Sequence, residues 1–248
     1  MTPGARLAAT IELLDEIDAA DQAPDQVIDG YFRQRRFAGS GDRRDVTGRV
    51  YDILRRRAKL DWWIERTGLG VLSNARLRTL AFAILEERSS PEELSGYFSG
   101  ARHCPDPLSE TESALCDALY GRPLLNRDMP DYVRLEYPEW MDRSFRALWG
   151  ARLDDEMSAL NQPAPMDLRV NLLKATPEDA LQRLTDDFID GAPTSLSPIG
   201  IRVTGKVRLG GTRAFKDGLV DVQDEGSQLA ALMVGVRPGM TVVDYCAG

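Results

Sequence analysis

Histidine is nearly absent from this 248-residue sequence: His103 stands alone, which excludes His-rich metal sites and chemistry that needs paired histidines. Cysteine is scarce as well. Cys104, Cys116 and Cys246 are too few for a disulfide framework, and a reducing cytoplasm is the simplest compartment. No run of apolar residues approaches the roughly 18 needed to span a bilayer, and no apolar stretch follows Arg6 as a secretory signal would require, so no membrane partner is expected. Lysine is reduced to Lys59, Lys174, Lys206 and Lys216; the remaining cations are arginines, the better residue for planar contacts to phosphates and bases. The balance is acidic, 31 Lys and Arg against 39 Asp and Glu for a formal charge of −8, which argues against a uniformly basic nucleic-acid coat protein. With 43% hydrophobic and 28% charged residues, a packed core is expected rather than disorder.

What is present falls into three rhythms. Residues 1–125 carry helical spacing. Leu7, Ile11, Leu14 and Ile17 share one face, and Val27, Ile28, Tyr31 and Phe32 form the next behind Pro24. A longer helix is expected from about Asp42 to Glu65 on a stripe of Val46, Val50, Ile53, Leu54, Leu60 and Ile64. Another follows Asn74, with Leu77, Leu80, Ile84 and Leu85 inward. Ser90–Glu93 and Ser109–Glu112 read as capping boxes, and Gly121 and Pro123 stop the last helix.

Residues 137–208 read as a small α/β domain. Helices through Met141, Phe145, Leu148 and Trp149, and through Leu153, Met157 and Leu160, precede two stretches of strand alternation, Leu168–Val170–Leu172 and Ile199–Ile201–Val203. Between these strands a helix opens at Thr176-Pro177-Glu178-Asp179. Residues 210–248 then read as strand (219–222), helix capped by Asp224, Pro238-Gly239 turn and strand (240–244), the way an open α/β sheet begins. The expected fold class is therefore multidomain: all-α, then α/β, then the start of a Rossmann-like sheet.

The chemistry-bearing stretch is Asp221 to Gly248. An apolar strand ends in Asp244 and runs into Cys246-Ala247-Gly248, small residues that let backbone N–H groups approach a ligand closely. On pattern alone an ordinary tight turn after a core strand is the preferred reading. Gly218 to Asp224 matches a Gly-x-x-x-Val-Gln-Asp segment, Ser227-Gln228-Leu229 and Pro238-Gly239 follow, and Val242, Asp244, Cys246 and Ala247 match Val-x-Asp-x-Cys-Ala. Together these resemble the entry to the catalytic domain of the Nop/Sun family of RNA (cytosine-5) methyltransferases. Gly248 stands where alanine is more usual, and the Gly-Gly-Lys continuation is not in the sequence. Asn161 to Pro165 followed by Leu168-Arg169-Val170-Asn171 resembles the family's Arg-Val-Asn strand, and Tyr137-Pro138-Glu139-Trp140 its Pro-x-Trp helix start. Asp42-Arg43-Arg44 with Val50 to Arg55 resembles a NusB-like RNA-binding module.

The resemblance implies methyl transfer from S-adenosylmethionine to ribosomal RNA through a cysteine nucleophile that lies downstream of the first cofactor motif, and hence beyond Gly248. It implies that Asp244, Cys246, Ala247 and Gly248 contact the cofactor, with Gln223 and Asp224 near it. By the same reading the 248-residue chain is expected to be inactive and not to bind S-adenosylmethionine, to hold no metal, and to leave Cys104 and Cys116 as packing residues. RNA contact is expected on a basic stretch. Between Tyr31 and Arg66 eleven cations face five acids, a local balance of +6 that leaves −14 elsewhere. Arg33, Arg35, Arg36, Arg43, Arg44, Arg55, Arg56 and Lys59 are the candidates; ion pairs with Asp42, Asp45 and Asp52 are the competing use of these side chains. At least one of Trp62 and Trp63, and likewise Trp140 and Trp149, is read as a core anchor before a base-stacking platform. A non-enzymatic NusB-like RNA-binding protein in transcription or ribosome assembly is the competing function.

Overall fold

Helix α1 (Pro3–Ala19) begins where Thr2 accepts a hydrogen bond from the Ala5 amide. It is followed by α2 (Pro24–Gln34), α3 (Ser40–Leu54), α4 (Arg57–Arg66), α5 (Ala75–Leu85), α6 (Pro91–Tyr97), α7 (Glu110–Leu119), α8 (Asp131–Arg134), α9 (Asp142–Trp149) and α10 (Leu153–Leu160). The computed structural model describes residues 1–205, 207 and 209–245, which divide into two units, Met1–Gln162 and Pro163 onward. No helix among the described residues is long and apolar enough to cross a membrane.

In the first unit, α5 is the axis. Its sequence is apolar on nearly every face, and accordingly every residue but Arg76 is buried, more than the single inward stripe expected from spacing. Helices α1, α3, α4 and α7 pack around it. Leu13, Val46, Val50, Ile53, Leu60, Leu80 and Leu115 are fully enclosed, each worth about 1.5–3 kcal/mol in apolar area removed from water. The one buried cation in this axis, Arg78, is held by Asp61 (2.7 and 3.1 Å) on α4 and Asp18 (3.0 Å) on α1, so its guanidinium is fully paired. Both capping boxes form as the sequence predicts.

The single helix expected from Asp42 to Glu65 is two helices. The chain leaves helical geometry at Arg56 (φ −119°, ψ 17°) and restarts at Arg57. The N-terminus of α4 has no side-chain cap of its own. The Glu136 carboxylate supplies it instead, accepting from the Ala58 amide (2.9 Å) and the Lys59 amide (3.1 Å). Helices α8 to α10 form a satellite core of Leu135, Tyr137, Leu153 and Met157, onto which Met141, Phe145 and Trp149 pack. Arg134 clamps it by bridging Asp131 and Asp154.

The second unit runs β1 (Met166–Val170), α11 (Pro177–Asp186), β2 (Gly191–Pro193), β3 (Gly200–Val203), α12 (Arg213–Lys216), β4 (Val220–Val222) and α13 (Glu225–Met233). The strands form one antiparallel sheet in the order β2-β3-β1-β4. A β-α-β-β-α-β chain with that order is a ferredoxin-like arrangement. Leu168, Val170, Ile201, Val203 and Val220 turn one face onto Ala180, Leu184 and Ala214. Leu172, expected to continue the first strand, lies beyond its end and is exposed. The strand at 219–222 does not open a second, Rossmann-like sheet. It pairs with β1, Leu168 opposite Val222 and Val170 opposite Val220, and so completes the small one. Residues 240–244, expected to be the next strand, have no strand pairing among the described residues. A strand requires a hydrogen-bonding neighbour, and the outer edge of β4 has none among the described residues.

Candidate functional site

The basic stretch is organised by the turn between α2 and α3. Arg35 leaves helical geometry and Gly39 starts α3, with the Ala38 amide returning to the Arg35 carbonyl at 3.1 Å and Arg43 Nε donating to the Ala38 carbonyl at 2.9 Å. Two of the candidate cations are spent on aromatic faces here. The Arg35 guanidinium lies 3.6 Å from the Tyr31 ring centre and donates to Glu12 at 3.1 Å, while the Tyr31 hydroxyl donates to the same oxygen at 2.7 Å. Burial and the Glu12 charge push the Tyr31 hydroxyl far above its ordinary pKa, so it remains a donor. Arg43 sits over Phe32 at 5.5 Å.

The other candidates divide sharply. Arg55 and Arg56 reach Asp52 at 3.8 and 3.0 Å, and Arg56 also reaches Glu86 at 3.4 Å. Lys59 is an interior residue paired with Glu136 at 3.2 Å, so the structure takes it out of the basic surface. Arg33, Arg36 and Arg44 are exposed, and among the described residues none has a carboxylate within ion-pair distance. Net charge by counting therefore overstates the field. What projects to solvent is a smaller set around the α2–α3 turn.

Trp63 is a core residue whose indole N–H donates to the Leu124 carbonyl at 2.9 Å, with Trp62 packed edge-on against it. Trp140, read from sequence as a core anchor, is 79% exposed. The stripe that packs is Tyr137, Met141, Phe145 and Trp149, a four-residue repeat that leaves Trp140 on the outer side. Cys116 is buried, and burial pushes its thiol up to about 12, so it is not a thiolate nucleophile. Among the described residues no group of three His, Cys, Asp or Glu stands at metal-binding spacing.

In the second unit, the two stretches singled out by sequence lie side by side. Asn171 donates from its side chain to the Gly218 carbonyl (3.1 Å) and from its amide to the Leu219 carbonyl (2.8 Å), and Lys174 Nζ donates to the Asp217 carbonyl (2.7 Å). Gly218 has φ +69°, so the backbone favours glycine there. Asp224 caps α13 by accepting from the Gly226 amide at 2.8 Å. Beneath this junction lies a network that sequence reading missed. Asp167 on β1 accepts both arms of Arg202 (2.7 and 2.8 Å) and the Glu225 amide (3.3 Å). Glu225 accepts the Leu196 and Ser197 amides. The Arg202 contacts hold Asp167 below the ordinary carboxylate range, and the two amides do the same for Glu225. Asp244 is exposed, and Cys246, Ala247 and Gly248 lie outside the described residues.

Residues 137–209 match the Methyltr_RsmF/B-like, ferredoxin-like domain family. A ribosomal RNA small subunit methyltransferase B of Xylella fastidiosa is 29% identical over 83% of this chain and 49% of its own length. One from Pseudomonas putida is 32% identical over 46% of this chain and 26% of its own length. A probable ribosomal RNA small subunit methyltransferase B of Synechocystis is 24% identical over 95% of this chain and 56% of its own length. The chain thus spans about half the length of the curated relatives that it matches along most of its sequence. The crystal structure of PH0851 superimposes on 96% of this chain and 57% of that one with a TM-score of 0.64 at 20% identity, a likeness of fold.

Proposed function

We propose, from the premise that this chain is a homologue of the ribosomal RNA small subunit methyltransferase B proteins, that it belongs to an enzyme methylating cytosine at C5 in ribosomal RNA. The observation that carries this reading is the junction of β1 and β4, where the Arg169-Val170-Asn171 stretch clasps the Gly218–Asp224 stretch through Asn171. S-adenosylmethionine is the methyl donor in this reading. Val242, Asp244 and Tyr245 are open to solvent. The contribution of this part of the protein is placement of RNA and support for the catalytic domain. The nucleophile is neither Cys104 nor Cys116, which sit in the helical unit.

Arg33, Arg36 and Arg44 are the phosphate contacts of this reading, since they are charged, exposed and unpaired among the described residues. Their joint replacement by alanine is expected to weaken binding to structured ribosomal RNA about tenfold at low salt and to lower the slope of log K against log salt by about 2. Thermal stability should be unchanged, since the three side chains enclose no core. Filter binding across a salt series is the measurement, and unchanged affinity at low salt would remove the patch. The catalytic reading is tested in cells with and without the intact gene. Bisulfite sequencing of the small-subunit RNA is expected to show a 5-methylcytosine that disappears with the gene. An unchanged pattern would sink the assignment.

A further inference from the structure

A cleft of about 660 Å³ opens within the first unit, beside the α2–α3 turn. Its floor is made of small residues of α1, Ala5, Ala8 and Ala9, and its sides include Phe37, Arg35 and His103. Each side is fixed. Arg35 is held over the Tyr31 ring by Glu12. The segment bearing Arg102 and His103 is closed by the Gly100 amide to the Pro105 carbonyl (2.9 Å) and the Cys104 amide to the Ala101 carbonyl (2.8 Å). It is seated directly on α1: a Cβ on Gly4 would stand 2.6 Å from the Tyr97 carbonyl oxygen and 2.9 Å from the Cys104 sulfur. His103 is kept at φ +67°, an uncommon backbone conformation that costs energy unless its surroundings impose it.

We propose that this cleft receives a splayed-out base of single-stranded RNA, with the adjoining phosphate on Arg36 and Arg102. The proposal rests on the RNA reading above and deepens it. Three features fit that occupant. The Tyr31–Arg35 stack presents a preoriented guanidinium plane, a surface on which unstacked bases lie. Phe37 lines the same cleft and is 73% exposed, an aromatic face with little protein on it, directly after the unpaired Arg36. The charged lining is Arg35 and Arg102 against the single carboxylate Glu12; Glu12 and Arg35 pair with each other, so the charge of Arg102 is left over and suits a phosphodiester. A duplex cannot enter, because its bases are paired and stacked.

The experiment compares the affinity of the 248-residue protein for a fluorescent single-stranded oligoribonucleotide and for a duplex of the same length. Phe37→Ala is expected to weaken the single strand at least about fivefold, in line with loss of one base stack, with duplex affinity changed less than about twofold. Phe37→Trp is expected to restore single-strand binding. Phe37 is exposed, so its truncation does not threaten folding, and a 4-thiouridine oligonucleotide should crosslink at Phe37 or within 101–104. If the wild-type protein binds neither RNA, both this proposal and the RNA reading fall. If it binds both and Phe37→Ala affects them equally or not at all, the cleft proposal alone falls. A change from dimer to monomer on Phe37→Ala with RNA affinity intact would assign the cleft to a second copy of the chain and overturn the proposal.

Discussion

Glu136→Ala is expected to lower the unfolding free energy by about 3 kcal/mol, the scale for removing one partner of a buried ion pair. Glu136 is only 7% exposed, and its carboxylate meets the Ala58 and Lys59 amides together with Lys59 Nζ. Alanine leaves two amides of the α4 N-terminus without a partner and an interior ammonium without its counter-charge. Because Glu136 holds φ +61°, alanine gains nothing in the backbone. Glu136→Gln should cost roughly half as much, since its carbonyl oxygen still accepts one amide. Adding Lys59→Met to Glu136→Gln should recover a good part of that loss by removing the unpaired charge. Urea titration of the variants reads these values; an alanine variant within about 0.5 kcal/mol of wild type would refute the capping role. The pH dependence has an unusual sign. Burial raises the Glu136 pKa despite Lys59 and the amides. The folded chain therefore binds this proton more tightly than the unfolded chain, and the stability linked to this group falls as pH rises from the ordinary glutamate value to the raised one.

Asp167→Ala is expected to cost about 2 kcal/mol and to act on the second unit alone. The Asp167 side chain is fully enclosed, whereas Arg202 is partly open to water and is rehydrated once its partner is gone. The loss is thus smaller than for Glu136. Hydrogen exchange is the appropriate measurement: amides of β1 and β3 should exchange faster in the variant, while those of α5 keep their rates. Unchanged protection in β1 would show the network to be dispensable. Here the pH sign is the common one. Asp167 and Glu225 have depressed values in the folded chain. The stability they supply is present above the ordinary carboxylate range and is lost as pH falls through the depressed values, so the acid limb should be shallower in Asp167→Ala.

These two residues mark where sequence reading stops. Ser90–Glu93, Ser109–Glu112 and the cap at Thr176 were legible because cap and helix lie within one turn of chain. Glu136 caps a helix that begins far upstream, at Arg57, and no local spacing records that. The break at Arg56 was hidden for the same reason, since the apolar stripe continues across it. Asp167 alternates with buried Leu168 in the manner of a solvent-facing residue. It is enclosed only because Arg202, its cross-strand partner in register, and the start of α13 cover that face. Alternation marks 220–222 as a strand without telling its sheet, because it reports pleat and exposure and says nothing of the neighbour. On the basic surface the residue types were readable and their use was not. Lys59, Arg55 and Arg56 serve ion pairs and Arg35 a tyrosine ring, which leaves Arg33, Arg36 and Arg44 exposed and without an ion pair among the described residues.

The order β2-β3-β1-β4 also sets a sequence of events in time. As the chain emerges from the ribosome, β1 can pair with β3 once residue 203 is available, but its other edge stays bare until residues 220–222 follow. During that interval Leu168 and Val170 belong to a half-built sheet with an open hydrogen-bonding edge, the kind of surface that recruits other chains. Asn171 and Lys174, by seizing the backbone at 217–219, dock the late strand as soon as it appears. The same contacts that join the two stretches in the finished protein therefore shorten the period in which a nascent chain is open to misassembly.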